Sequence, residues 1–172
     1  MTIVGVQNMT SPSIVLLNPR DWVGESVCLS GRIGSIGFRF VIYDEPQGSW
    51  SDQQALRSYR DGIVLRFPGL MRAMYAAYPV MYGTQVWEIK HVCVSGVLRR
   101  SSADTHRWMI DDIQQIEFLE GSNCRKTAPR FITPEYVRQC QQDWIEMIKR
   151  DSRIMPDIAP AIAVAERDAT AW

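Results

Sequence analysis

The chain has 172 residues, of which 46% are hydrophobic and 22% charged, with nineteen basic and nineteen acidic side chains. This is the mix of an ordinary folded domain that can bury roughly 70% of its unfolded surface, so it excludes wholesale disorder and a membrane protein for the chain as a whole. Zero net charge argues against a generic polyanion binder, but residues 27–110 hold ten basic against six acidic side chains, and arginine outnumbers lysine sixteen to three.

Residues 1–24 read as an N-terminal extension that covers the body of the fold. Its apolar run at 14–17 is too short for a signal peptide or a membrane span, so a cytoplasmic or nuclear location is the expectation. Asn8-Met9-Thr10 matches a glycosylation sequon, which has no use in that setting.

Residues 27–44 predict a hairpin. Val27, Leu29, Gly31 and Ile33 alternate with Cys28, Ser30 and Arg32, and Phe38, Phe40 and Ile42 alternate with Arg39, Val41 and Tyr43, so the apolar sets should face inward. The turn falls at 34–37, and although Gly31, Gly34 and Gly37 are regularly spaced they lack the order of a phosphate loop. Residues 92–96, Val-Cys-Val-Ser-Gly, repeat the pattern of 27–31, Val-Cys-Leu-Ser-Gly. In both copies β-favouring residues run into a glycine where a strand can bulge or bend.

The stretch 44–62 is polar, rich in turn formers and longer than a hairpin needs, and long loops tend to carry function. A third short strand follows at 63–67, with Val64 and Arg66 outward, until Pro68-Gly69 breaks it. Leu70, Met71, Met74, Ala77 and Tyr78 then share one helical face, with the methionines as core filling. The fourth and fifth strands are predicted at 86–99 and 107–119. Between them, Arg99, Arg100, His106 and Arg107 form the most basic local feature of the chain.

After a link at 121–130, Thr133 and Pro134 predict a helix start, as N-cap and first helical residue. Val137, Cys140, Trp144, Met147 and Ile148 recur at three and four residues, a single apolar stripe. This stripe packs on the protein's own body or on a partner. Residues 121–154 thus form a linker and helix, and 155–172 a tail rich in Ala and Pro that is expected to be flexible.

The order strand, strand, strand, helix, strand, strand, with a glycine-bent first strand, resembles the OB-fold, the oligonucleotide- and oligosaccharide-binding barrel. The resemblance covers 25–120 and rests on Val-Cys-Leu-Ser-Gly, the helix at 70–78, Val-Cys-Val-Ser-Gly-Val-Leu and Trp-Met-Ile-Asp-Asp-Ile. It implies a mainly β protein, a five-stranded OB-like barrel with a helix between strands three and four and an amphipathic helix behind it. It also implies a ligand path across the second and third strands, closed by the loops between strands one and two and strands four and five. Arg39, Tyr43 and Arg66 would line that path, Trp50 would reach it from the long loop, and Arg99, Arg100 and Arg107 would close one edge.

Enzymatic chemistry finds little footing in the sequence. His91 and His106 with isolated cysteines lack a zinc-ligand spacing, so no metal or other cofactor is expected. Asp111 and Asp112 are adjacent in a strand and point to opposite faces unless a bulge intervenes, so they read as strand-end solvation. No G-x-S-x-G is present. The four cysteines read as reduced thiols. One pairing stays open, because Cys28 and Cys93 hold equivalent places in the two pentapeptides and would lie close on neighbouring strands.

The leading expectation is a non-enzymatic module binding single-stranded nucleic acid, alone or within a complex, with Tyr43, Trp50 and Tyr59 available to stack bases. The alternative is a protein-binding barrel, such as a complex subunit, inhibitor or immunity protein, or a homodimer, using the long loop at 44–62 or the C-terminal helix through Val137, Cys140, Trp144, Met147 and Ile148. Oligosaccharide binding is the third.

Overall fold

The computed structural model describes residues 9–36, 39–45, 57–77, 86–102, 106–119 and 129–152. In chain order these form β1 (Met9–Thr10), α1 (Pro12–Leu17), a 3-10 turn (Pro19–Asp21), β2 (Ser26–Ile36), β3 (Arg39–Tyr43), β4 (Ile63–Leu65), α2 (Leu70–Ala77), β5 (Val86–Arg100), β6 (Trp108–Phe118), β7 (Phe131–Ile132) and α3 (Pro134–Ser152). Strands β2, β3, β4, β6 and β5 pair in that order, and β5 returns to β2, which closes a five-stranded barrel. The β4–β6 pair is parallel and the other four barrel pairs are antiparallel. The fold is therefore mainly β, compatible with an OB-like barrel, with α2 between the third and fourth barrel strands and α3 after the fifth.

Alternation places the core as the sequence predicts. Val27, Leu29, Ile33, Phe40, Ile42, Ile63, Leu65, Val92, Val94, Leu98, Ile110 and Ile116 are buried in one cluster, joined by Leu70, Ala73, Met74 and Ala77 of α2. Val15 of α1 and Val137 of α3 enter the same cluster, so both flanking helices add to the barrel core. The first strand pairs farther than expected: β2 runs on through Gly34 to Ile36, which faces Arg39. Gly34 serves a different purpose, because a Cβ there would meet the Tyr43 ring at 2.9 Å.

The repeated pentapeptides pair with each other. Val27 faces Gly96, Cys28 faces Ser95, Leu29 faces Val94, Ser30 faces Cys93 and Gly31 faces Val92, a local two-fold about Leu29 and Val94. Position two of each copy thereby meets its counterpart diagonally, and Cys28 and Cys93 are joined as a disulfide with Cα atoms 6.3 Å apart. This corrects their reading as reduced thiols: composition speaks for the compartment in general, while strand register decides which sulfurs meet.

Both glycines of the repeat stand at irregularities. The β2–β5 register shifts between Gly31 and Ile33, and the β5–β6 register between Ser95 and Val97. A Cβ on Gly31 would run into the carbonyl oxygen of Tyr43, and one on Gly96 would lie 2.8 Å from that of Asp111. The partner strands carry the extra residues, and each has a non-glycine residue in left-handed backbone, His91 at φ 54° and Asp112 at φ 48°. At the first bulge Glu45 accepts the His91 backbone N–H at 2.6 Å and an Arg32 Nη2 hydrogen at 3.2 Å, which ties the end of β3 to β5.

Candidate nucleic-acid interface

The ligand path implied by the OB resemblance runs over the outer face of β3 and β4, and the chain itself occupies much of it. Tyr43 is on that face but 5% exposed, with its ring laid against Gly34. Val41, also outward by alternation, is fully buried, and Gly62 at the end of the β3–β4 connection packs directly on it. Tyr59 in a helical turn at 57–60 donates its hydroxyl to the Arg39 carbonyl at 3.0 Å, which pins that turn to β3. Arg39 is half-buried there. Tyr43 as folded thus offers no open ring for a base, and Trp50 lies outside the described residues.

Arg66 and Arg99 are exposed but engaged. Arg66 Nη1 lies 3.4 Å from Asp111 Oδ2, Arg99 Nε 3.6 Å from the same oxygen, and Arg99 Nη2 donates to Asp112 Oδ2 at 2.7 Å. The hydrogen bond to Asp112, with the charge of that carboxylate and of Asp111, raises the Arg99 pKa above its ordinary value. The bulge at Asp112 is what brings both acids to one side. The reading of Asp111 and Asp112 as strand-end solvation is corrected accordingly: they lie within β6 and neutralise two arginines.

Arg100 and Arg107 are exposed, and neither makes an ion pair with a described residue. Arg99 and Arg100 face Met109 and Trp108 across a regular stretch of ladder, so their side chains leave β5 on opposite faces. His106 is not an exposed basic group. It is buried, 5% exposed, with Nε2 3.0 Å from the Tyr59 carbonyl oxygen and its ring edge-on to the Tyr59 ring at 5.7 Å.

That contact brings a second pair of arginines beside the β5–β6 hairpin. Arg57 and Arg60 flank Tyr59 in the turn, both are exposed, and neither forms an ion pair with a described residue. Both belong to the basic surplus of residues 27–110. The residue spacing held no signal that their turn docks on the hairpin through a buried histidine. Asp61, next to Arg60 in sequence, is also exposed.

The second predicted surface, the α3 stripe, is divided. Thr133 accepts the Tyr136 backbone N–H at 3.3 Å, the N-cap arrangement expected ahead of Pro134. Val137 is buried in the barrel core, and Tyr136 and Cys140 pack partly against it. Burial, with the neighbouring Cys140 thiol, pushes the Tyr136 hydroxyl up to about 12, and burial also raises the Cys140 pKa. The Arg72 guanidinium of α2 stacks 3.0 Å over the Trp144 ring. Farther along, Ile148 is half-buried and Met147 is 41% exposed. The first half of the stripe therefore belongs to the protein's own core.

Among the described residues no three His, Cys, Asp or Glu side chains converge on a point where a metal ion would fit, and no helix is long and apolar enough to cross a membrane. No protein-family model, curated protein or solved structure matches the chain.

Proposed function

We propose that this protein is a non-enzymatic OB-like barrel module that binds single-stranded nucleic acid along the edge where the 57–60 turn meets the β5–β6 hairpin. One observation carries this reading: Arg57, Arg60, Arg100 and Arg107 are exposed on two segments in contact, without an ion pair to any described residue. Guanidinium groups suit phosphate oxygens, and the loop between the fourth and fifth strands is a usual contact of OB-like barrels. The test is titration of labelled single-stranded DNA and RNA of about 15 to 20 nucleotides, longer than one OB-fold site, at low and moderate salt. Saturable binding whose log affinity falls by roughly 0.7 per phosphate contact per decade of salt is expected. No binding at tens of micromolar in low salt overturns the reading.

The exposure of Met147 at the end of the α3 stripe favours a second reading, a protein partner or a second copy on α3. Solution mass by light scattering separates these, since a symmetric dimer doubles it.

A further inference from the structure

His106 is the least expected residue of the hairpin loop, a titratable side chain placed among arginines and yet buried. Its Nε2 sits 3.0 Å from a carbonyl oxygen, an acceptor, so that nitrogen carries the hydrogen. The carbonyl is that of Tyr59, one peptide bond from Arg60, while His106 itself is one residue from Arg107. Tyr59 in turn holds β3 through its hydroxyl and meets the His106 ring edge-on at 89°, a favourable aromatic arrangement. Two side chains thus join β3, the 57–60 turn and the hairpin loop, and each stands next to an arginine of the edge.

We propose that the Tyr59–His106 contact makes the arginines of the two segments one composite site for a phosphodiester backbone, with Tyr59 and His106 as positioning residues that do not touch the ligand. The inference rests on the nucleic-acid reading above and narrows it. Tyr59 is half-buried against His106, and Trp108 beside Arg100 packs partly against the core. Recognition at this edge is therefore led by phosphates rather than by stacked bases, and it is insensitive to base sequence. Four contacts give a salt slope of about −2.8, at roughly −0.7 per contact for a single strand. Uncoupled segments, each engaging its own two arginines, give about half of that.

The experiment is fluorescence anisotropy with labelled 15-nucleotide dT and dA strands over a salt series, using the full chain, His106→Ala and His106→Gln. His106→Gln keeps an N–H at similar reach and should retain the slope. His106→Ala should flatten it toward half with all four arginines intact, while far-UV circular dichroism stays unchanged. A full slope in a folded His106→Ala protein overturns the positioning role and leaves the nucleic-acid reading standing. A tenfold preference between dT and dA overturns recognition led by phosphates. Should His106→Ala not fold, NMR of the unmodified protein decides instead: the arginine Nε–H signals of both segments shift at one common affinity in a composite site, and those of a single segment shift otherwise. If neither strand binds the unmodified protein at tens of micromolar in low salt, the nucleic-acid reading fails, and this inference with it.

Discussion

Two groups of arginines sit on the same small barrel and carry the same charge, yet their surroundings give them different chemistry. Arg66 and Arg99 lie against Asp111 and Asp112, brought to one side by a bulge in β6. Arg57, Arg60, Arg100 and Arg107 meet no acid among the described residues. The contrast is sharpest between Arg99 and Arg100, neighbours on β5 whose side chains leave opposite faces of the strand. Counting charges along a chain, which treats them alike, misses this. A guanidinium already held at 2.7 Å by a carboxylate must give up that partner to take a phosphate, and one in water has none to lose.

The largest effect is expected from loosening β5, which carries both kinds of arginine. The Cys28–Cys93 bond joins residues 65 apart, and closing a loop of that length stabilises the fold by about 4 kcal/mol in the chain-entropy account. Cys28→Ser with Cys93→Ser should lower stability by an amount of that order in urea unfolding. Reductant should bring the unmodified protein down to the same midpoint. Equal midpoints for all samples without reductant would show that the bond contributes nothing in solution.

Next in size is the release of the paired arginines. Asp111→Asn with Asp112→Asn keeps side-chain volume, and asparagine tolerates the left-handed backbone at 112. Freed Arg66 and Arg99 should add up to two phosphate contacts, steepening the salt slope of oligonucleotide binding by about 1.4. Little change in thermal stability is expected, because exposed ion pairs are screened. An unchanged slope would mean that these arginines lie off the ligand path altogether.

A finer cut compares neighbours. Arg100→Gln should flatten the slope by about 0.7, while Arg99→Gln should leave it unchanged. Equal effects would erase the distinction between paired and unpaired sets.

The legible parts of this protein are those governed by local rules. Alternation of apolar residues located the barrel strands, Thr133-Pro134 located the start of α3, and the two Ser-Gly steps marked the strand irregularities. Each of these follows from neighbours within a few residues. What stayed hidden depends on chain folding back from afar. Period-two alternation puts Val41 and Tyr43 outward, but it carries no information on the 57–62 segment that closes over Val41, or on the missing Cβ of Gly34 that lets the Tyr43 ring lie flat. A bulge shifts register by a residue or two, and that shift placed Asp112 beside Arg99 and turned a loose acidic pair into a partner for two arginines. His106 reads as a charged loop tip for the same reason, since its burial comes from a turn almost fifty residues earlier.

The smallest effect concerns an arginine outside both sets, Arg138 on α3, which pairs with Glu135 at 2.9 Å. The Glu135 carboxyl is held below its ordinary range, first by its own backbone N–H at the helix start, then by the Thr133 hydroxyl, and less by Arg138. A carboxylate near a helix N-terminus is favoured by the exposed amides of the first turn. Because the folded-state pKa is the lower one, Glu135 favours the helix at neutral pH, and this contribution is lost as pH falls through that depressed value. Hydrogen exchange of the first-turn amides of α3 should therefore quicken, relative to the intrinsic rate, as the solution is acidified below the ordinary glutamate range. Glu135→Gln should show the faster opening already at neutral pH and little further change. The same substitution frees Arg138, yet oligonucleotide affinity should stay where it is, because Arg138 has no place at the edge formed by the turn and the hairpin. A steeper salt slope in Glu135→Gln would extend the binding surface onto α3, and the division between paired and unpaired arginines would then have to be redrawn around the helix.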